Sequence, residues 1–327
     1  MNKIFALIGL STLIATAEVK VLDFYYLVAG EIEYHVDAIT ESHTVFDKFA
    51  KDLSWTVVHS KDPKIFSDTG IGKFDVIIMN NNQGNIFNAS QKLALETYIH
   101  KGGGVVGIHA ASYAHKIPGE WPWWENFIGK LHVSGPPAKG YVGPGTNTII
   151  MQDTSKRFTI GLPKQWVMDS VEWYKYNREL PQTMHVLVTA DPAKEMAGYP
   201  AYYPVSWCQH FDGGRMWYTN MGHFADEFKN ANFLKHLLQG IEWAALGKTG
   251  GCDEPEIPVT IRRPFGRIAP QGTVAGRPIW EEEYFFSAAG VKLGNHQPPP
   301  LQTLFFRIGQ AGRGKLVGTE GIEPSTR

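Results

Sequence analysis

Short apolar runs alternate with amphipathic segments along the first third of the chain. Buried strands are predicted for the runs at 19–26, 55–60, 74–79 and 105–108. Segments 40–53 and 89–101 instead carry apolar residues at helical spacing, and Asn88 with Gln91 predicts a capping box where the second begins. Alternating strands and helices are typical of a doubly wound α/β fold with a mostly parallel sheet.

The second half of the domain contains more strands than helices. Strands are predicted at 148–151, 185–190, 204–211 and 215–220. The last two flank Asp212-Gly213-Gly214, a sequence that indicates a hairpin. Segment 134–145 is rich in Gly and Pro and is predicted to be loop, and 226–246 is predicted to be one long amphipathic helix.

Beyond residue 248 the hydrophobic periodicity fades. Gly and Pro become frequent, and 279–286 is the only segment with the pattern of a strand or helix. We therefore interpret 249–327 as a Pro/Gly-rich, largely irregular tail that follows an α/β domain at 18–248.

The first residues have the pattern of a signal peptide. Lys3 precedes an apolar stretch at 4–14, and Ala15-Thr16-Ala17 is a small-x-small cleavage site. The apolar stretch is too short to span a bilayer as a helix. Segment 1–17 is therefore predicted to be removed and the protein exported to the periplasm or the medium, the alternative being a genuine first strand or buried helix.

Composition and charge exclude some classes of partner. The chain has 327 residues, 43% of them hydrophobic, and a net charge of −1 without blocks of like charge. These values indicate a globular protein whose partner is neither a nucleic acid nor a membrane. Cys208 lies in an apolar run and Cys252 follows two glycines, so we predict that they are unpaired. The oligomeric state stays open.

Three histidines follow predicted strands. His109 comes directly after the run at 105–108, His223 follows the second strand of the hairpin, and His35 lies in the loop after the first strand. Because α/β sheets bind ligands at the carboxyl ends of their strands, these side chains are candidates for one crevice, with His109 exposed in it. The alternatives are a core histidine at 109 and a surface loop residue at 35.

Other residues are candidates for the same crevice. Glu172 stands between apolar neighbours, so it needs a partner or has a raised pKa suited to acid/base work. Asn82 belongs to an amide-rich loop at 80–84 that can bind a polar ligand, unless this is an ordinary turn. Trp123 and Trp124 are candidates to stack on a sugar face, the alternative being plain packing.

Several sequence blocks together resemble the trehalose-utilisation (ThuA-like) family over about residues 20–246. The blocks are Gly102-Gly103-Gly104-Val105-Val106-Gly107-Ile108-His109-Ala110-Ala111, Trp121-Pro122-Trp123, Glu172-Trp173-Tyr174, Pro204-Val205-Ser206-Trp207, Gly213-Gly214-Arg215-Met216-Trp217-Tyr218-Thr219 and Gly222-His223. The resemblance implies a flavodoxin-like, class I glutamine amidotransferase-like three-layer sandwich.

The same resemblance bears on the chemistry of the elbow after the fourth strand. True amidotransferases of this fold carry a nucleophilic cysteine there, in a Gly-x-Cys-x-Gly pattern. Here the segment is Gly107-Ile108-His109-Ala110-Ala111. Imidazole is a poor replacement for a thiolate in acyl transfer, so glutamine hydrolysis is not expected.

The resemblance further implies a role in carbohydrate utilisation, with a small-molecule carbohydrate as partner. We expect hydrolysis or isomerisation of a sugar or keto-glycoside, in which His109, Glu172 and His223 are catalytic. The substrate-binding residues are then His35, Asn82, Trp123 and Trp124. No cofactor is required by any motif, and a divalent metal held by some of the histidines and Glu172 is the alternative. The rival hypothesis is a non-catalytic carbohydrate-binding or interaction protein on the same fold.

Overall fold

The structure is a computed structural model that divides into two units, residues 1–256 and 257–327. It describes residues 18–26, 34–133, 140–153, 158, 160–191, 203–247 and 252, with short strands between 273 and 317. The predicted signal peptide at 1–17 lies outside the described residues. Among the helices that are described, none has the length and apolar character needed to span a bilayer.

Nine strands of the first unit form one sheet. They are β1 (Lys20–Phe24), β2 (Thr56–Ser60), β3 (Val76–Asn80), β4 (Gly104–Ile108), β5 (Tyr141–Met151), β6 (Gln165–Tyr174), β7 (His185–Ala190), β8 (Tyr203–Phe211) and β9 (Gly214–Thr219). Their spatial order is β2-β1-β3-β4-β9-β8-β7-β5-β6.

Helices cover both faces of this sheet. They are α1 (Val36–Leu53), α2 (Asp68–Ile71), α3 (Ala89–His100), α4 (Pro122–Ile128) and α5 (Ala231–Leu246), with 3-10 turns at 63–65, 109–113 and 225–229. One buried cluster joins the sheet to α1 and α5, and a second joins it to α3 and α4. This arrangement confirms the predicted α/β three-layer sandwich.

The sheet has a parallel half and an antiparallel half. Strands β2, β1, β3, β4 and β9 pair in parallel, and from β9 onward every pairing is antiparallel. Five of the nine strands therefore pair in parallel, and β9 belongs to both halves. The change of direction begins at the predicted hairpin, where Asp212 and Gly213 both have positive φ, as a tight two-residue turn requires.

Two helix boundaries differ from the predicted ones. The predicted helix at 226–246 is a 3-10 turn followed by α5, because Asn230 has extended backbone and its side chain accepts the N–H groups of Asn232 and Phe233. Helix α1 begins at Val36, four residues before the predicted start. The capping box of α3, formed by Asn88 and Gln91, is confirmed.

The prediction of loop throughout 134–145 is wrong for its last part. Strand β5 begins at Tyr141 and pairs with β6, with register shifts between Val142 and Asn147. These irregularities accommodate Gly and Pro in a strand and erase the alternation that would have revealed it. Residues 134–139 lie outside the described residues.

The prediction of unpaired cysteines is also wrong. Cys208 of β8 and Cys252 form a disulfide, with their Cα atoms 5.8 Å apart. Both side chains are buried in the cluster beneath α5. The pairing depends on where the chain returns after α5, which is a tertiary property that local context does not reveal.

The second unit contains six short strands where a single element was predicted. Strands β10 (Thr273–Val274) and β11 (Arg277–Pro278) form one small antiparallel sheet. The second antiparallel sheet contains β12 (Phe285–Phe286), β13 (Lys292–Leu293), β14 (Phe305–Ile308) and β15 (Gly314–Val317). Strands this short carry too few positions for a period to be visible in the sequence.

Candidate active site

The chain forms a strained elbow where β4 ends. His109 follows Ile108 directly and has φ 42°, in the left-handed region that few non-glycine residues adopt. The predicted position at the carboxyl edge of the sheet is therefore confirmed. The predicted exposure is wrong, because the His109 side chain is completely buried.

Close packing around Gly107 explains why the elbow is built from small residues. A Cβ at Gly107 would lie 2.9 Å from Cδ2 of Tyr218 and 3.0 Å from Cδ1 of Ile128. The Tyr218 hydroxyl donates to the carbonyl of His109 at 2.8 Å. The elbow is thus clamped between β9 and α4, which holds the imidazole in one place.

A second loop, after β9, carries His223. Gly222 has φ 105°, and a Cβ there would lie 2.7 Å from Ile108. The buried Glu227 carboxylate accepts the backbone N–H groups of Gly222 and His223 at 2.9 Å and of Phe224 at 3.0 Å. Burial raises the pKa of Glu227 to about 7, and these N–H groups act in the opposite direction. Glu227 therefore fixes the backbone that presents His223.

His35 reaches the same place from the start of α1. Its ring is buried, and its Nδ1 lies 2.7 Å from Nε2 of Gln83. Its Nε2 lies 3.0 Å from Nδ1 of His223. Gln83 belongs to the amide-rich loop after β3, so strands β1, β3 and β9 all contribute to this contact.

The imidazoles and Glu172 converge at one point. Nδ1 of His223 lies 3.0 Å from Nε2 of His109, and Oε1 of Glu172 lies 3.5 Å from the first atom and 3.7 Å from the second. Tyr174, two residues after Glu172, donates its N–H to the Asn220 side chain and thereby ties β6 to the loop after β9. Four of the seven predicted site residues are thus brought together.

The hydrogen bonds determine the tautomer of His109. Its Nδ1 lies 2.7 Å from the backbone carbonyl oxygen of Asn220, which can only accept. Nδ1 therefore carries the hydrogen, and in the neutral ring Nε2 has a free lone pair that faces His223.

Burial keeps the neighbouring imidazoles neutral. It lowers the pKa of His223 to about 3 and that of His35 well below its usual value, and the charge that His109 would carry acts in the same direction. The cluster therefore offers nitrogen lone pairs rather than positive charge at neutral pH.

Rings that were not predicted to belong to the site form a wall beside the histidine cluster. The ring centroid of Tyr174 lies 4.1 Å from that of His109 and 3.8 Å from that of His132. Burial lowers the pKa of His132 to about 3. Tyr174 was not predicted as a site residue. Its place two residues after Glu172 on one strand is the signal that puts both side chains on the same face.

Asn82 is not part of the cluster, contrary to prediction. Its side chain is fully buried and donates to the carbonyl of Phe24 at 3.3 Å, while its Oδ1 has no partner among the described residues. The amide that contacts an imidazole is its neighbour Gln83. The loop was predicted correctly, but which of its side chains points inward depends on backbone angles that the sequence does not specify.

The two tryptophans are not placed to stack on a ligand at the cluster. Trp124 is completely buried and donates to the carbonyl of Ala114. Trp123 donates to Asp212 at 3.2 Å and packs on Phe127. Asp212 lies in the turn before β9, at the amino-terminal edge of the sheet, whereas the histidines lie at the carboxyl edge. The alternative of plain packing applies to both.

A second polar cluster, on β1 and β2, was not predicted. The buried Asp23 carboxylate lies 2.7 Å from Nδ1 of His59 and 3.1 Å from Nε2 of His43, and it accepts from Asn80 at 3.0 Å. Burial acts to raise the pKa of Asp23, but the two histidines hold it below its usual value. A polar residue directly after an apolar pair in each of two neighbouring strands, Asp23 in β1 and His59 in β2, is the signal that could have revealed this cluster.

A cavity of about 220 Å³ lies at the opposite edge of the sheet. Its lining includes Asp75 and Lys101, which precede β3 and β4, and Arg215, near the start of β9. No histidine is among the described residues that line it. The groups suited to proton transfer or metal binding are concentrated at the carboxyl edge, so we assign the candidate active site there.

Two solved structures are similar to this chain in fold. A crystal structure of a ThuA-like protein from Bacteroides uniformis matches with a TM-score of 0.59 and 24% identity over 69% of this chain and 91% of that one. A ThuA-like protein from Parabacteroides merdae matches with a TM-score of 0.56 and 21% identity over 71% and 91%. These likenesses show the fold.

The sequence itself matches a family model. No curated protein matches the chain. The family model for trehalose utilisation, ThuA, covers residues 26–244, which include both ends of the site from His35 to His223. The chain therefore belongs to the ThuA family of trehalose utilisation, with a class I glutamine amidotransferase-like fold.

Proposed function

We propose that this protein is an exported enzyme that hydrolyses or isomerises a sugar or keto-glycoside by acid/base chemistry. The observation that carries the proposal is the convergence of His35, His109, His223 and Glu172 at the carboxyl edge of the sheet, with contacts of 3.0 to 3.7 Å. Family membership supports a carbohydrate as the substrate.

The residues at this point suit proton transfer beside a keto group. Such a reaction needs a base for the proton, and a group that stabilises the developing enolate oxygen. Glu172 is the one carboxylate of the cluster, and it keeps some solvent contact, as does His223. We assign Glu172 as the base, His109 as its acid/base partner, and His223 as the electrophile or a second base.

Glutamine hydrolysis is not supported by this site. The elbow that would present a nucleophilic thiol presents His109 instead, and the two cysteines of the chain are joined in a disulfide. No thiolate is therefore available to attack an amide.

Export is supported by two observations. The first 17 residues have the pattern of a signal peptide, and the disulfide between Cys208 and Cys252 is typical of proteins in oxidising compartments. In this proposal the enzyme meets its carbohydrate outside the cytoplasm.

The test is turnover of keto-glycosides by the purified protein. Keto-glucosides are incubated with the enzyme in deuterated water, and NMR follows both the products and the exchange of the proton beside the keto group. We expect turnover or exchange that falls at least about 1,000-fold in the His109→Ala and Glu172→Gln variants. The matched control is His100→Ala, because His100 is exposed at the other edge of the sheet.

One outcome would favour the rival hypothesis. If no substrate is turned over although the protein binds sugar, and His109→Ala binds it as well as the unmodified protein does, the enzyme proposal fails and the rival hypothesis of a non-catalytic carbohydrate-binding protein is favoured. Binding is measured by calorimetry on the same preparations.

A further inference from the structure

We infer that His35, His109 and His223 bind one divalent transition-metal ion of the zinc type, with Glu172 facing the ion's open coordination position. The ligand atoms would be Nε2 of His35, Nε2 of His109 and Nδ1 of His223, which all lie within 4.8 Å of one another. Three protein ligands with an open position are the composition of a catalytic zinc site.

The distances between the ligand atoms fit such an ion. Two nitrogens at about 2.0 Å from a tetrahedral zinc ion lie about 3.3 Å apart. The two contacts of His223, with His35 and with His109, are each 3.0 Å. An ion would widen these two contacts by a few tenths of an ångström and draw together the third pair, Nε2 of His35 and Nε2 of His109, which lies within 4.8 Å.

With the amide nitrogen of Gln83 facing His35, hydrogen bonding does not satisfy these three nitrogens. Nε2 of His109 is a bare lone pair, so His223 would have to donate from Nδ1 to satisfy it. If Gln83 donates to Nδ1 of His35, then the neutral His35 ring carries its hydrogen on Nε2, which lies 3.0 Å from the same Nδ1 of His223. One of the two contacts then joins two hydrogens or two lone pairs.

A cation accepts all three lone pairs, whereas a hydrogen on Nδ1 of His223 would be shared between the other two nitrogens. The arrangement requires Nδ1 of His35 to carry the hydrogen, and Gln83 accepts it once its amide is turned by 180°. His109 already shows the typical arrangement of a metal-ligating histidine, whose other ring nitrogen donates to a backbone carbonyl.

The other group of histidines is less suited to an ion. In the Asp23 cluster, His59 uses both ring nitrogens, at 2.7 Å from Asp23 and 3.1 Å from Asp47. Asp23 also accepts from Asn80. Both ring nitrogens of His59 are therefore engaged by carboxylates and not by lone-pair contacts with other imidazoles, so His59 provides a matched control.

The metal site extends the proposed function, and the catalytic role of the ion rests on that function. An ion at the cluster would polarise a keto oxygen or lower the pKa of a bound water. Glu172, at 3.5 Å from Nδ1 of His223, is then the base that receives the proton. With the ion bound, His109 and His223 act as its ligands rather than as proton-transfer groups, and Tyr174 packs against His109 beside it.

The experiment measures metal binding directly on the full, tag-free chain. The protein is stripped with a chelator and titrated with Zn²⁺ by calorimetry, and with Co²⁺, whose visible absorption reports nitrogen ligation. We expect one ion per chain, and at least about 100-fold weaker binding in both His223→Ala and His35→Ala. His59→Ala should bind as the unmodified chain does. Circular dichroism confirms that each variant is folded.

The outcomes separate this inference from the proposed function. Unchanged Zn²⁺ affinity in folded His223→Ala and His35→Ala, or full keto-glycoside turnover by the stripped chain, overturns the metal site and leaves the enzyme proposal standing. One tightly bound ion without turnover of any keto-glycoside overturns the enzyme proposal alone. Glu172→Gln should retain the ion, with the Co²⁺ spectrum present, and lose turnover.

Discussion

His109 and His223 contact each other through ring nitrogens 3.0 Å apart, although 114 residues separate them in the chain. Each ring is held in place by a further hydrogen bond. The backbone carbonyl of Asn220 accepts from Nδ1 of His109, and the Glu227 carboxylate accepts from the backbone N–H of His223. Because neither contact needs a ligand to form, the site is preorganised. Preorganised polar groups are what acid/base and metal-dependent catalysis require.

Glu227 is predicted to be a positioning residue for His223. In Glu227→Gln an amide nitrogen replaces an oxygen that accepts backbone N–H groups, which places donors against each other. We expect a loss of unfolding free energy of about 1–3 kcal/mol and weaker Zn²⁺ binding. Chemical denaturation and calorimetry measure the two effects. Asp226→Asn is the matched control, since Asp226 is exposed and paired only with Lys229 among the contacts found, and it should change neither quantity.

Gly107 is predicted to tolerate no side chain. A Cβ in Gly107→Ala would overlap Tyr218 and Ile128, so the elbow must shift. We expect a loss of about 1–3 kcal/mol in unfolding free energy together with lower activity, because His109 moves with the elbow. Gly119→Ala is the comparison, since nothing lies within 4 Å of its Cβ and only the backbone strain of its positive φ remains. If Gly107→Ala keeps both full stability and full activity, the packing argument for the elbow is wrong.

His236 should make stability depend on pH. His236 lies in α5, and its ring is buried beside Ser206 of β8. Burial lowers its pKa from 6.5 to about 3, whereas Asp153 acts to raise it. Between these two values the unfolded chain binds the proton and the folded chain does not. The stability contributed by neutral His236 is therefore complete above pH 6.5 and is lost as the pH falls toward 3.

Urea denaturation at two pH values tests this dependence. From pH about 7 to about 5 the unmodified chain should lose about 2 kcal/mol more unfolding free energy than His236→Gln, which cannot titrate. Equal pH profiles for the two proteins would contradict the assignment. Gln can still donate to Ser206, so the comparison isolates the charge.

The disulfide should stabilise the first unit. Reduction separates Cys252, which follows α5, from Cys208 in β8. The two cysteines are 44 residues apart in the chain, and closing a loop of this length stabilises a fold by about 2–4 kcal/mol. We expect a reducing agent to lower the melting temperature of the unmodified chain. Cys252→Ser should melt at that lower temperature with or without the agent. A melting temperature that reduction leaves unchanged would show that the bond contributes nothing.

Local sequence patterns predict most strands and helices of the first unit and the edge of the sheet at which the chemistry lies. Apolar runs, the capping box at Asn88 and the turn at Asp212 are local patterns, because hydrophobic period and backbone preference are properties of neighbouring residues. The rule that ligands bind at strand carboxyl ends then placed His35, His109 and His223 together.

Which side chains complete the site depends on long-range packing. Gln83 rather than Asn82 contacts His35, and Trp123 and Trp124 pack away from the cluster. The pairing of Cys208 with Cys252 and the antiparallel pairing of β5 with β6 and β7 were likewise not predicted from the sequence. Such features depend on contacts between residues distant in the chain and on the direction of single side chains, and a pattern of hydrophobic and polar positions contains neither.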